Sequence, residues 1–84
     1  MITIYGTTTC KWCKAAVSLV EARGLQHDYR LIDENEQFYA ELKTLKPDTK
    51  TVPQIWWDNR YIGGYTDLAT EIENTSGGFG DGKF

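Results

Sequence analysis

The sequence is poor in cysteine and histidine and has no long apolar run. Its 84 residues include two cysteines and one histidine, and no apolar stretch approaches the ~20 residues that span a bilayer. Small secreted domains typically carry about four or more cysteines at wide spacings. A structural zinc ion takes about four ligands, more than the two cysteines and His27 supply. These shortages argue against a disulfide scaffold, a complete zinc site and a membrane span.

Basic residues are also outnumbered. Nine Lys and Arg stand against twelve Asp and Glu, so the formal charge is −3, and the acidic residues lie mostly at positions 33–41 and 67–73. Nucleic acids and anionic membranes attract basic surfaces, so neither is an expected partner. The amino terminus lacks a basic segment followed by a long apolar run, and we expect a monomeric protein in the cytoplasm.

The composition is otherwise that of a small folded domain. Apolar residues make up 40% of the chain and aromatic residues 13%. A chain of 84 residues has room for one domain with one core. We place that domain at residues 1–74, because residues 75–84 hold four of the eight glycines and have no core face. The last segment is therefore predicted to be a flexible, glycine-rich tail.

The apolar pattern predicts the element order βαβαββα. Strands are expected at residues 1–5, 28–32, 52–57 and 60–62, with residues 58–59 as a hairpin turn. Helices are expected at residues 11–23, between residue 35 and Pro47, and from residue 66 onward. The predicted fold class is α/β, with a four-stranded mixed sheet and helices on both faces.

Each predicted helix has one apolar face. In the first helix this face is formed by Cys13, Ala16, Val17 and Val20. The second helix is expected to be capped by Asp33 or Asn35, and the third by Thr66. The residues that these two helices should turn inward are Phe38, Leu42 and Leu45, and then Leu68, Ala69 and Ile72.

The two cysteines, Cys10 and Cys13, lie at the start of the first predicted helix. Disulfide exchange needs an exposed sulfur with a lowered pKa. Free N–H groups at the helix start, together with Lys11 and Lys14, favour the Cys10 thiolate, whereas Cys13 lies one turn further in and should be more buried. The pattern predicts a redox dithiol in which Cys10 attacks and Cys13 resolves. Half of a zinc site and a structural disulfide are the alternatives.

Three motifs, in this order, resemble the glutaredoxin family. They are Cys10-Lys11-Trp12-Cys13, Thr51-Val52-Pro53 and Gly63-Gly64-Tyr65-Thr66-Asp67. The similarity runs from residue 1 to about residue 74 and is greatest to bacterial dithiol glutaredoxins with a Cys-Pro-Tyr-Cys motif. It implies a thioredoxin-like fold and a glutathione-dependent thiol-disulfide oxidoreductase, with glutathione as co-substrate and no resident metal.

The resemblance also implies a glutathione site across two loops. Pro53 would be cis beside the cysteines, and the backbone of Val52 would pair with the cysteinyl part of glutathione; a proline at a strand start is the alternative. Thr66 and Asp67 would hold the γ-glutamyl end through free helix N–H groups and a carboxylate, with ordinary helix capping as the alternative. The expected glutathione-binding residues are Lys11, Trp12, Thr51, Val52, Pro53, Gly64, Tyr65, Thr66 and Asp67.

Three positions depart from the family pattern. Many relatives have proline after the first cysteine and Lys or Arg three residues before it, where this chain has Lys11 and Thr7. We therefore expect Lys11 to supply the displaced cation. Trp12 replaces the usual tyrosine and keeps an aromatic wall without the hydroxyl; a surface aromatic without a ligand is the alternative. Trp56 and Trp57 are interpreted as strand packing.

The expected reaction is the reduction of protein disulfides and glutathione mixed disulfides, with recycling by two glutathiones. The resemblance implies ribonucleotide reductase as one acceptor of hydrogen. A redoxin recycled by thioredoxin reductase is an alternative, against which the motif at residues 63–67 argues. A glutathione-dependent iron-sulfur carrier that bridges a cluster between two protomers is another, disfavoured by Trp12 and by the second thiol.

Overall fold

A four-stranded mixed sheet with three helices forms residues 1–76, the part of the chain described by a computed structural model. In chain order the elements are β1 (Ile2–Gly6), α1 (Lys11–Ala22), β2 (His27–Leu31), α2 (Glu36–Leu45), β3 (Gln54–Trp57), β4 (Arg60–Gly63) and α3 (Tyr65–Ser76). The predicted order βαβαββα is confirmed. The predicted tail lies outside the described residues from residue 77 onward, and its boundary stays a prediction.

The sheet order is β2-β1-β3-β4. β1 runs parallel to β2, with Ile4 beside Tyr29, and antiparallel to β3, with Ile4 beside Ile55. β3 and β4 form an antiparallel hairpin through a turn in which Asp58 has a φ of 57°. Because β1 and β2 are parallel, their carboxyl ends meet at one edge of the sheet, where Gly6 pairs with Leu31. The candidate site lies at this edge.

The core fills the face of the sheet that α1 and α3 cover. It is built from Ile2, Ile4, Ala16, Val20, Ile55, Leu68 and Ile72, all at most 3% exposed. These residues follow the period of two in the strands and the i, i+4 spacing in the helices, as predicted. Tyr5 alternates with Ile4 and points to the other face, where its hydroxyl donates to Glu41 of α2 at 3.2 Å. The helices thus lie on both faces. None of the described helices is long and apolar enough to cross a membrane.

The second helix departs from one prediction. Asn35 is its N-cap, and the Asn35 side chain accepts hydrogen bonds from the N–H groups of Gln37 and Phe38. Leu42 is buried, but Leu45 is 55% exposed, so its predicted inward orientation is wrong. Leu45 lies in the last turn of α2, where it lines an open groove beside Tyr5 instead of entering the core.

β3 and α3 also start at residues other than those predicted. β3 starts at Gln54 rather than at residue 52, because the chain first passes through the Val52-Pro53 peptide. α3 starts at Tyr65, so Thr66 is not its cap. Asp67 reaches back to accept the Gly64 N–H at 3.1 Å, the arrangement of an N3 acid and its N-cap. Gly63, with a φ of 125°, lets the chain turn into this helix one residue early.

Candidate active site

Cys10 lies where the loop after β1 enters α1. It is the N-cap residue, with extended backbone angles, and its Sγ accepts the Cys13 N–H at 3.1 Å. Cys10 is partly exposed, whereas Cys13 is fully buried, so the predicted difference in burial is confirmed. The two residues form a disulfide, with their Cα atoms 5.2 Å apart. The structure therefore represents the oxidised form of the predicted dithiol.

Gly6 gives the buried sulfur its space. A Cβ atom at this position would stand 2.6 Å from Cys13 Sγ and 2.8 Å from the ring of Tyr29, closer than real Cβ atoms approach such groups. A larger residue here would displace Cys13 and the start of α1. The sequence prediction treated Gly6 only as a strand end; a glycine before a loop that carries a cysteine is the signal that it overlooked.

The loop before β3 faces Cys10. The Val52-Pro53 peptide is cis, as predicted, and the Val52 carbonyl oxygen lies 3.8 Å from Cys10 Sγ. The buried side chain of Gln54 supports the loop, because its amide nitrogen donates to the Thr51 carbonyl at 3.0 Å. Tyr61 of β4 in turn donates to the Gln54 amide oxygen at 2.5 Å. The sheet thereby holds this loop against the cysteine.

A groove of about 280 Å³ opens between this loop, α1 and the start of α3. Its wall on one side is aromatic, since the rings of Trp12 and Tyr65 lie 5.3 Å apart. Lys11 is the predicted glutathione-binding residue that does not line it; its Nζ lies 5.7 Å from the Trp12 ring. The lining residues are Trp12, Thr51, Val52, Pro53, Gly64, Tyr65, Thr66 and Asp67.

A second cavity, of about 320 Å³, lies on the other side of Thr51 and Val52. It contains two cationic side chains, Lys43 and Lys50, and Lys43 Nζ donates to the Thr49 carbonyl at 2.8 Å. The Thr49 hydroxyl is buried and has no hydrogen-bond partner within residues 1–76. The sequence prediction assigned a cation to Lys11 and missed these lysines, although Lys50 directly precedes the motif at residues 51–53.

The match to a protein-family model identifies the chain. The model described as Glutaredoxin matches residues 2–62, which include both cysteines and the cis-proline loop. The chain belongs to the glutaredoxin family. Members of this family are thiol-disulfide oxidoreductases, and the Cys10/Cys13 pair is of the dithiol type.

Curated relatives support the same conclusion. The chain is 34% identical over 68 residues to a glutaredoxin of Neisseria meningitidis, covering 80% of this chain and 79% of the relative. It is also 34% identical over 77 residues to glutaredoxin 1 of Escherichia coli, covering 83% of this chain and 89% of the relative. Sequence similarity to these glutaredoxins therefore extends over most of this chain and most of each relative.

Solved glutaredoxin structures share the fold. Francisella tularensis glutaredoxin 1, solved with cacodylate, is 25% identical, with a TM-score of 0.71 over 88% of this chain and 93% of that chain. The buckwheat glutaredoxin-glutathione complex is 18% identical, with a TM-score of 0.73 over 88% of this chain and 69% of that chain. The predicted thioredoxin-like fold is confirmed.

The surroundings of the dithiol fit redox chemistry. The paired sulfurs at the α1 amino terminus are placed for exchange between a dithiol and a disulfide. Within the described residues there is no group of three or more His, Cys, Asp or Glu side chains that could hold a metal ion. The lowered pKa expected for reduced Cys10 stays a prediction.

Proposed function

We propose that this glutaredoxin depends on glutathione and reduces both protein disulfides and glutathione mixed disulfides. The observation that most supports this proposal is the groove next to Cys10, where Trp12, residues 51–53 and residues 64–67 come together. Its lining includes Thr51 and Val52, the Asp67 carboxylate and the aromatic rings of Trp12 and Tyr65. A groove of this kind is better suited to binding a small peptide with charged ends than to binding the flat surface of another protein.

The middle of glutathione would pair with the backbone at Thr51 and Val52, as an added strand, with its sulfur directed at Cys10. The γ-glutamyl carboxylate would take the free N–H groups at the start of α3. Asp67 would accept the ammonium group. Its carboxylate already accepts the Gly64 N–H, but a carboxylate has about four acceptor positions, so both hydrogen bonds are compatible.

The glycyl carboxylate would extend toward the second cavity. Lys50 and Lys43 line that cavity, which shares Thr51 and Val52 with the groove. The buried Thr49 hydroxyl adds an unpaired polar group there. Lys11 lies outside both cavity linings, over the face of Trp12. We therefore assign the main cation contact to Lys50 and a weaker, long-range contribution to Lys11.

The exchange would begin at Cys10. Its thiolate attacks the glutathione sulfur of a mixed disulfide, the old S–S bond breaks, and the substrate thiolate leaves and takes a proton. A second glutathione thiolate then attacks the Cys10 adduct and restores the Cys10 thiolate, releasing oxidised glutathione. With a protein disulfide, Cys13 attacks the Cys10 adduct and forms the Cys10/Cys13 disulfide seen here. Two glutathiones return it to the dithiol and supply both electrons.

The wider setting of the enzyme extends this proposal. Similarity to bacterial dithiol glutaredoxins supports ribonucleotide reductase as one disulfide substrate, with the protein acting as a monomer in the cytoplasm. The iron-sulfur carrier is the less favoured alternative, because the motif contains the bulky Trp12 and a second thiol, Cys13. A visible absorbance band in protein purified without oxygen would indicate that alternative.

Trapping of the glutathione adduct tests the assignment. Reduced Cys13→Ser protein is mixed with oxidised glutathione, and the modified residue is located by mass spectrometry. We expect one glutathionyl group on Cys10, because this variant cannot release it by internal attack. Cys10→Ser is the matched variant and should take up far less. Equal labelling of the two variants would contradict the proposed roles.

A further inference from the structure

Asp33, two residues after the end of β2, binds the loop that follows β1. Its carboxylate accepts the Thr8 backbone N–H, with oxygen distances of 3.1 and 3.3 Å, and the Thr8 hydroxyl at 2.7 Å. The hydroxyl and then the backbone hydrogen bond hold the pKa of the Asp33 carboxyl below its usual value. Asn35, and not Asp33, caps α2, so the Asp33 carboxylate is used for this loop instead.

Tyr29 fastens the same loop from within β2. Its hydroxyl donates to the Thr7 carbonyl at 2.6 Å, and Thr7 also accepts the Cys10 N–H at 3.5 Å. Burial, together with the nearby Asp33 carboxylate, raises the pKa of the Tyr29 hydroxyl, which therefore remains a donor at neutral pH. Thr7 is thus bound to Tyr29 of β2, and Thr8 is bound to Asp33 in the segment after β2.

The position of this loop determines where the Cys10 sulfur lies. A single residue, Thr9, separates Thr8 from Cys10, whose Sγ accepts the Cys13 N–H at 3.1 Å. An N–H that donates to sulfur stabilises the thiolate relative to the thiol. A loop that moved away from β2 would carry the Cys10 backbone with it and weaken this hydrogen bond. A small displacement of a reacting group can also cost much of its rate.

We propose that Asp33 is a positioning residue for thiol-disulfide exchange at Cys10. It acts through Thr8, whose two hydrogen bonds keep the attacking sulfur at the amino terminus of α1. The negative charge of Asp33 acts in the opposite direction, because a carboxylate near a thiol disfavours the thiolate. Loss of the correct position should raise the pKa of the Cys10 thiol, whereas loss of the Asp33 charge should lower it. Because the two shifts have opposite signs, an experiment can separate them.

The proposal rests on the role of Cys10 as the attacking thiol. Other ionisable groups near the loop would be the same in every variant compared. They include Tyr29 on β2, Lys11, Cys13 and Lys14 on α1, and Tyr39, Lys43 and Lys50 at the second cavity.

The test is the pH dependence of iodoacetamide alkylation of the reduced chain, read at Cys10 by mass spectrometry. We expect Asp33→Ala to raise the alkylation midpoint by about half a pH unit, so that the rate well below both midpoints falls roughly threefold. Asp33→Asn keeps an oxygen for Thr8 but loses the negative charge, so its midpoint should lie below that of Asp33→Ala. Thr8→Val loses the hydroxyl and should also raise it, whereas Thr8→Ser should match the unmodified protein.

Glu34→Gln is the matched control for loss of a neighbouring exposed acid and should leave the midpoint unchanged. Equal downward shifts in Asp33→Ala and Asp33→Asn would show a charge effect and overturn the proposal. Unchanged midpoints in both Asp33→Ala and Thr8→Val would overturn it as well, and the Thr8 pair gives this answer even if Asp33→Ala folds poorly. An unmodified protein whose own midpoint is ~8.5, the free-cysteine value, would instead refute the role of Cys10 itself.

Discussion

The indole of Trp12 lies 5.3 Å from the ring of Tyr65, so the first turn of α1 contacts the first turn of α3. This contact closes one side of the groove beside Cys10, although Trp12 itself is 55% exposed. A large exposed aromatic at a groove is typical of a ligand contact rather than of core packing. The following predictions test what this groove binds.

Trp12→Ala should raise the apparent KM for glutathione roughly two- to twelvefold, since aromatic contacts are worth about 0.5–1.5 kcal/mol. Trp12→Tyr restores an aromatic wall and should stay near the unmodified value. Steady-state kinetics with a glutathionylated peptide measure both. Thermal unfolding of Trp12→Ala should change little, because the side chain is largely exposed. An unchanged KM in the alanine variant would make Trp12 a surface aromatic without a ligand.

The two cysteines should differ in function as they differ in burial. Cys10→Ser should lose all reductase activity, because the remaining sulfur of Cys13 is fully buried. Cys13→Ser should keep reduction of small glutathione mixed disulfides and lose most reduction of protein disulfides. Separate assays with the two substrate types give the comparison. If both variants reduced a glutathionylated substrate equally well, Cys10 could not be the sole attacking thiol.

Asp67 should contribute more to glutathione binding than Lys11 does. Asp67→Ala should weaken the apparent affinity about tenfold, the factor that corresponds to about 1.4 kcal/mol. Because Asp67 also accepts the Gly64 N–H, Asp67→Asn is the better variant; its amide oxygen preserves that hydrogen bond while the charge is lost. Isothermal titration to the Cys10→Ser variant, in which no exchange occurs, measures the affinity. Unaltered binding by Asp67→Asn with an intact fold would leave Asp67 as a helix cap.

The lysines give a second, independent comparison. Lys50→Ala should weaken glutathione binding more than Lys11→Ala, because Lys50 lines the cavity that adjoins the groove and Lys11 does not. Both effects should fade as salt rises, since exposed charges are screened within about 10 Å at 0.1 M ionic strength. The same titration at low and high salt provides the measurement. A larger effect of Lys11→Ala would restore Lys11 as the displaced cation.

Arg30 should matter for stability and not for catalysis. It links three residues on the α2 face, with Asp28 Oδ2 and Glu41 Oε1 each at 2.7 Å and the Tyr5 hydroxyl at 3.2 Å. These pairs are partly exposed, so Arg30→Ala should lower the free energy of unfolding by only about 1 kcal/mol. Urea unfolding measures this, and kcat/KM with a glutathionylated peptide should be unchanged. A loss of activity in the folded variant would contradict the separation of the two faces.

The sequence predicts the core well because burial there repeats with the period of each element. Val20 and Leu68 are completely buried, as the apolar spacing of their helices predicts. The failure at Leu45 has a different cause, since its exposure depends on where α2 ends relative to the sheet. At the start of α3, both Thr66 and Gly64 could occupy the N-cap position. Gly64 occupies it, because the Asp67 carboxylate accepts the Gly64 N–H.

The site was predictable where a local motif carries it and not where distant residues meet. The residues of the groove come from three short motifs, which are specific because they occur together and in this order. The contact between Asp33 and Thr8 spans 25 positions and depends on the parallel pairing of β1 and β2. Lys43 and Lys50 likewise line one cavity with Thr7 only because α2 and the loop after it fold over the same edge. Such contacts require the three-dimensional structure.

The most direct test of glutathione dependence is a coupled assay that compares two electron sources for the same protein disulfide. One reaction contains glutathione, glutathione reductase and NADPH, and the other contains thioredoxin reductase and NADPH, each with the unmodified chain and with Cys10→Ser as the blank. We predict rapid NADPH oxidation in the glutathione reaction and no more than the blank rate with thioredoxin reductase. Faster turnover with thioredoxin reductase than with glutathione would contradict the proposed function.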